Sequence, residues 1–220
     1  MGGKRIAIGC GPGAPDMITV RGQNAIEGAK VIAGSKKLLE TFATDKECEK
    51  IEITGSYADV LDGIEEKHKN RDAVFLVSGD PLFFSLGEVL LKRYEKERLE
   101  FIPGISAMQY AASLEKKSWK NLRTITLHGA EKRYDNAAEN VSKEFIKELL
   151  EKEEGFVIYL DKNNNLGYVK ILLEGLDTSS HEFFIASNLS VENEVCRKIE
   201  LDKFDKEPEE SLSVLIVRRN

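Results

Sequence analysis

The run Gly9-Cys10-Gly11-Pro12-Gly13-Ala14 closes the first apolar stretch of the chain with the spacing G-x-G-x-x-G/A. In that pattern glycines let a strand turn sharply and bring backbone amides against a pyrophosphate, which would support hydride transfer with a bound dinucleotide. Three features count against phosphate. Pro12 and Pro15 stiffen the place where a phosphate-binding helix ought to begin, and Asp16 puts a negative charge beside it. No acid follows the second apolar run at Gly34 to grip a ribose, where Ser35, Lys36 and Lys37 stand instead. A plain strand-to-helix turn is the remaining structural reading.

Two further loops share this composition. Ser78-Gly79-Asp80-Pro81 ends a fourth apolar run, and Pro103-Gly104-Ile105-Ser106-Ala107 ends a fifth. Taken singly, each has a local explanation: Asp80 caps a helix whose first residue is Pro81, and Ser106 caps the next one. Taken together, loops at the carboxyl ends of the first, fourth and fifth strands of an open sheet can converge on one crevice. All three offer approachable amides and carbonyls and almost no positive charge. They suit a compact onium better than a di- or triphosphate; S-adenosylmethionine, with its sulfonium, ammonium, carboxylate and flat adenine, has that character.

The elements that must hold these loops are legible as periodicity. Arg5 to Gly9, Val31 to Gly34, Lys50 to Ile53, Ala73 to Ser78 and Leu99 to Ile102 read as strands. Thr19 to Ala29, Tyr57 to Lys69, Leu86 to Glu95 and Ser106 to Leu114 read as one-faced helices between them. This alternation predicts an α/β fold with an open, mostly parallel sheet. The polar stretch 115–120 reads as a linker, giving an N-terminal domain over 1–114 and a C-terminal α/β domain over 121–220. In the second domain Arg123 to His128, Phe156 to Leu160, Phe183 to Ser187, Val195 to Ile199 and Ser213 to Val217 read as strands, with helices at Ser142 to Lys152 and Leu166 to Glu174. Too few residues separate Phe183 to Ser187 from Val195 to Ile199 for a crossover helix, so this sheet should be mixed.

Composition narrows the function classes. The 220 residues are 41% hydrophobic, enough for one large core or two of about 100 residues each. A net charge of −6, with acids and bases interspersed, argues against a nucleic-acid partner. Cys10, Cys48 and Cys196 lack the paired spacing of a metal or redox site, so no metal is expected and a reducing cytoplasm fits. The run from Ile6 to Gly9 is too brief for a signal-peptide core, and nothing approaches the ~20 apolar residues of a membrane span. Gly2 does not make a myristoylation site, because Ile6 stands where Ser or Thr is wanted.

In order and spacing, the Gly-Pro-Gly loop with Asp16 and Thr19, Ser78-Gly79-Asp80-Pro81 and Pro103-Gly104-Ile105-Ser106 resemble the tetrapyrrole (corrin/porphyrin) methylases over essentially the whole chain. Pro103 to Gln109, Ser118-Trp119 and Leu127-His128-Gly129 are similar to the branch that methylates C5 of cobalt-precorrin-7 to give cobalt-precorrin-8 in cobalamin synthesis. So is Ser187-Asn188-Leu189 with Glu192, Asn193 and Glu194, although Ser190 replaces a glycine and Asn193 an acid of that pattern. The resemblance implies two α/β domains with S-adenosylmethionine in the cleft between them, S-adenosylhomocysteine as product, and a cytoplasmic homodimer. Carried over by position, cofactor contacts would be Gly11, Pro12, Gly13, Ser78, Gly79, Asp80, Phe83, Ser106 and Ala107, joined by Tyr159, Leu160 and Asn188.

No protein nucleophile is expected, because an electron-rich macrocycle carbon can take the methyl group directly. Asp16 and His128 are candidates to receive the proton lost afterwards. Arg21, Lys36, Lys37, Lys132 and Arg133 are candidates to meet the substrate's carboxylates, Arg133 foremost. A dehydrogenase, a non-catalytic tetrapyrrole carrier, a methylase for another ring position and the diphthine-forming branch stay open as alternatives.

Overall fold

A computed structural model of the chain describes residues 2–127, 141–206 and 212–220. Its contacts divide the chain into two compact units, Met1–Ser106 and Ala107–Asn220.

The first unit alternates β1 (Arg5–Gly9), α1 (Val20–Glu27), β2 (Val31–Gly34), α2 (Lys36–Phe42), β3 (Glu49–Glu52), α3 (Tyr57–His68), β4 (Ala73–Val77), α4 (Gly87–Arg93) and β5 (Leu99–Ile102). The strands form one parallel sheet in the order β3-β2-β4-β1-β5. Every residue of β4 is buried, as expected of a strand covered on both faces. Alternation along the strands sorts the core into two layers. Ile8, Ile32, Val74 and Leu76 pack against Ile26 of α1 and Leu38 and Leu39 of α2. Ala7, Ala33, Phe75 and Val77 pack against Leu61 and Ile64 of α3 and Leu90 of α4. Thr19 caps α1 by accepting from the Gly22 N–H at 3.1 Å. Ser35 does the same for α2 through Leu38 N, a helix absent from the sequence reading, which took Lys36 and Lys37 there as candidate cations for the substrate.

At the amino end of β1 the side chain of Arg5 is fully buried. Its Nε donates to Glu65 at 2.9 Å, while Arg98 donates to the same carboxylate at 3.0 Å. Burial pushes the Glu65 carboxyl up, but hydrogen bonds from Arg98 and Arg5 outweigh it and hold it below the ordinary carboxylate range. A group with a lowered folded pKa contributes stability above its unfolded pKa and loses it as pH falls through the folded one. Glu65→Gln should therefore lower the unfolding free energy at neutral pH by about 3 kcal/mol, since Arg5 loses its counter-charge. In urea titrations the gap to wild type should close below about pH 4. A gap of constant size down to about pH 3 would contradict the assignment.

The second unit comprises α5 (Ala107–Glu115), β6 (Arg123–Thr126), α6 (Lys143–Lys152), β7 (Gly155–Asp161), α7 (Leu166–Leu173), β8 (His181–Ser187), β9 (Val195–Lys198) and β10 (Leu212–Arg219). Its sheet runs β6-β7-β10-β8-β9, with β6 parallel to β7 and the other pairs antiparallel. The mixed sheet and the β8–β9 pairing agree with the sequence expectation. Ile146 and Leu149 of α6 and Val169 and Leu173 of α7 cover one face, against Phe156, Ile158, Leu160 and Leu215. Helix α5 covers the other, with Met108 and Ala111 on Val157, Ala186, Val214 and Ile216. Glu115, whose side chain is buried, fastens α5 to β10 by accepting from Arg218 Nε at 2.7 Å and Nη2 at 2.8 Å. The helix that the sequence reading kept with the first domain is thus grouped with the second unit, which begins at Ala107 instead of 121.

Candidate active site

Strand β1 lies between β4 and β5, and the connections leaving β1 and β4 run in opposite directions, to β2 and to β5. Such a switch point opens a crevice beyond the carboxyl ends of the strands, where the Gly-Pro loops sit. They meet backbone to backbone. Cys10 N donates to Val77 O at 2.8 Å, Gly79 N to Gly11 O at 2.8 Å and Gly11 N to Gly79 O at 3.3 Å. Gly11 and Gly79 have φ of 73° and 68°, in the left-handed region that favours glycine. A Cβ at Gly9 would stand 2.5 Å from Gly104 N, and one at Gly104 would stand 2.3 Å from Gly79 O. Ser106 is buried, with its Cα 3.7 Å from the Cβ position of Gly79. Loops far apart in sequence are therefore brought together as expected.

Asp80 is the strut between two of them. Its Oδ1 accepts from Leu82 N at 2.8 Å and its Oδ2 from Gly104 N at 3.1 Å. The helix-cap reading of Asp80 is corrected here: α4 does not begin until Gly87, and the carboxylate instead ties the β4 loop to the β5 loop. The ring of Phe83 lies 4.7 Å from that of Phe84, whose φ of 50° is unusual for a bulky side chain. Cys10 sits among these glycines but is no nucleophile, because burial pushes its thiol up to about 12.

Around the first loop Pro12 and Gly13 are half-buried and Asp16 is exposed on a short turn. Ser78 is exposed. Arg21 is exposed on α1, and its guanidinium donates to Glu100 of β5 at 2.7 Å. That hydrogen bond, with the charge of Lys4, holds the Glu100 carboxyl below its ordinary range. Lys36 and Lys37 lie exposed on the first turn of α2, Lys36 within 4.0 Å of Glu40.

In the second unit Ala107 opens α5, and the Tyr159 hydroxyl accepts from Met108 N at 3.0 Å. The Leu160 side chain is buried in the core beneath α6 and α7, which leaves only its main chain for any ligand. Ser213 faces Leu160 on one side and Ser187 on the other, so the ends of β7 and β8 lie one strand apart. Asn188, Ser190 and Asn193 follow β8 with φ of 49°, 62° and 65°. Ser190 thus occupies a left-handed position, which accounts for the glycine that the related pattern carries there. His128, Lys132 and Arg133 lie outside the described residues.

Comparison with known proteins decides the family. The model of the Tetrapyrrole (Corrin/Porphyrin) Methylases matches residues 6–205. This chain belongs to the tetrapyrrole methylases. A relative in Methanocaldococcus jannaschii, named a probable cobalt-precorrin-7 C(5)-methyltransferase, is 35% identical over 85% of this chain and 84% of its own length. Among solved structures, the precorrin-6Y methylase of Archaeoglobus fulgidus has a TM-score of 0.72 at 23% identity, covering 99% of this chain and 98% of that one. The uroporphyrin-III C-methyltransferase of Thermus thermophilus, complexed with S-adenosylhomocysteine, has a TM-score of 0.71 at 17% identity, covering 98% and 97%.

Of the first-unit residues of this methylase named from sequence, Gly11, Gly79, Asp80 and Ser106 belong to one cluster. The dehydrogenase and carrier readings give way to the family. Gly9 and Gly104, which let the loops touch, were not among the candidates. Their signal was present, because each glycine closes an apolar run, but only the fold shows that they face each other. Nothing in the sequence marks the conformation of Phe84.

Proposed function

We propose that this methylase transfers the methyl group of S-adenosylmethionine to C5 of cobalt-precorrin-7, giving cobalt-precorrin-8 and S-adenosylhomocysteine. The observation that carries the cofactor half of this reading is the meeting of three Gly-Pro loops around Gly9, Gly79 and Gly104 with no lysine or arginine in any of them. With no lysine or arginine in these loops, and with Asp16 and Asp80 in or beside them, a pyrophosphate's charge would go uncompensated, whereas backbone carbonyls suit an onium and a few amides suffice for one carboxylate. The S-adenosylhomocysteine complex of the Thermus relative agrees with it. The macrocycle half rests on the Methanocaldococcus relative, which matches over most of both chains.

When bound, S-adenosylmethionine supplies an electrophilic methyl group whose bonding pair stays with sulfur as the new carbon–carbon bond forms. Gly11, Pro12, Gly13, Ser78, Gly79, Asp80, Phe83, Ser106 and Ala107 are the proposed contacts, with Tyr159, the Leu160 main chain and Asn188 from the second unit. Their task is orientation and exclusion of water, which can supply several kcal/mol of barrier reduction. Asp16 is exposed and has a carboxylate to offer the departing C5 proton; His128 is the other candidate. Arg133, with Arg21 if it leaves Glu100, would meet substrate carboxylates. We also propose a cytoplasmic homodimer; among the described residues no helix is long and apolar enough to cross a membrane.

Incubation with S-adenosylmethionine and a panel of precorrins, followed by mass spectrometry, tests the assignment. One added methyl group at C5 of cobalt-precorrin-7 is expected. Methylation of a different precorrin alone would move the activity to another ring position.

A further inference from the structure

We infer that Tyr159 is a positioning residue for the methyl donor: from the sheet of the second unit it fixes the first turn of α5, and with it Ser106 and Ala107. The inference rests on the proposal that these two residues line the donor. Tyr159 sits on the well-anchored strand β7, opposite Thr126 of β6 and Val214 of β10, and its carbonyl accepts from Leu127 N at 2.8 Å. Its ring packs in the cluster formed by Met108, Ala111, Val157 and Val214. From that platform the hydroxyl accepts from Met108 N at 3.0 Å. Met108 is the second residue of α5, and its N–H is one of the helix-start donors that have no partner within the helix. The bond therefore sets where the helix begins, and the chain just ahead of it is Ser106-Ala107.

Tyr159→Phe keeps the ring and removes the hydroxyl that accepts from Met108 N. In the ligand-free full-length protein, amide exchange followed by NMR should be about tenfold faster at Met108 in the variant, for a lost hydrogen bond of ordinary strength. Calorimetry should show S-adenosylhomocysteine binding about fivefold more weakly, while thermal unfolding stays close to wild type. Weaker binding with unchanged exchange at Met108 would overturn the inference in favour of direct contact. Faster exchange with unchanged binding would overturn it in favour of a purely structural bond. Failure of the wild-type protein to bind S-adenosylhomocysteine would instead overturn the donor reading beneath it.

Discussion

Asp80→Asn should weaken S-adenosylhomocysteine binding by about 10- to 100-fold while leaving the protein folded. The carboxylate accepts from Leu82 N with one oxygen and from Gly104 N with the other, so both of its oxygens are acceptors of backbone N–H groups. An amide has only one oxygen to offer. Whichever way it turns, its NH2 faces an N–H, and one loop is released. Hydrogen bonds to a charged group contribute about 1.5–3 kcal/mol, which is the 10- to 100-fold range just given. Titration calorimetry against the wild type reads this directly. An affinity within twofold of wild type would show that the β4 and β5 loops hold their places without the strut.

Gly104→Ala should have a larger effect, lowering methyl transfer by about 100-fold or more and the unfolding free energy by about 1–3 kcal/mol, the usual cost of overpacking. The added carbon would stand 2.3 Å from Gly79 O and 2.6 Å from the Gly9 carbonyl carbon, and both neighbours are backbone, which cannot swing aside like a flexible side chain. The loops must therefore part, and a displacement of about 1 Å in a positioning site can cost about 100-fold in rate. Gly63→Ala is the matched control. Gly63 lies within α3 with nothing within 4 Å of its Cβ position, and alanine there should raise stability by up to about 1 kcal/mol. Equal activity in the two variants, measured with labelled methyl groups, would contradict the account of the loops.

Much of the fold was open to sequence reasoning because its signals are local and repeated. Buried parallel strands such as β4 read as unbroken apolar runs, and the helices between them show one apolar face. Helix α2 escaped because it is two turns long and begins with Lys36 and Lys37, residues that draw attention as charges before they are seen to follow a Ser35 cap. The grouping of α5 with the second unit was not legible for a different reason. Met108 and Ala111 show that α5 has an apolar face, but the spacing cannot say which sheet it covers. The same limit governs the site. Glycine and proline marked where the chain turns, whereas the mutual approach of Gly9, Gly79 and Gly104 is a property of strand order. The pairing of Arg21 with Glu100 joins α1 to β5 across 79 positions, and no local pattern announces it.

The central claim is that these loops cradle the methyl donor at the carboxyl ends of β1, β4 and β5. Mapping amide chemical shifts of the labelled protein during titration with S-adenosylhomocysteine puts it to the most direct test. The largest shifts should fall on Gly11, Gly13, Gly79, Asp80, Gly104 and Ser106, with the opposite strand ends at Arg5, Ala73 and Leu99 little changed. Shifts gathered at those opposite ends, or none anywhere, would contradict it.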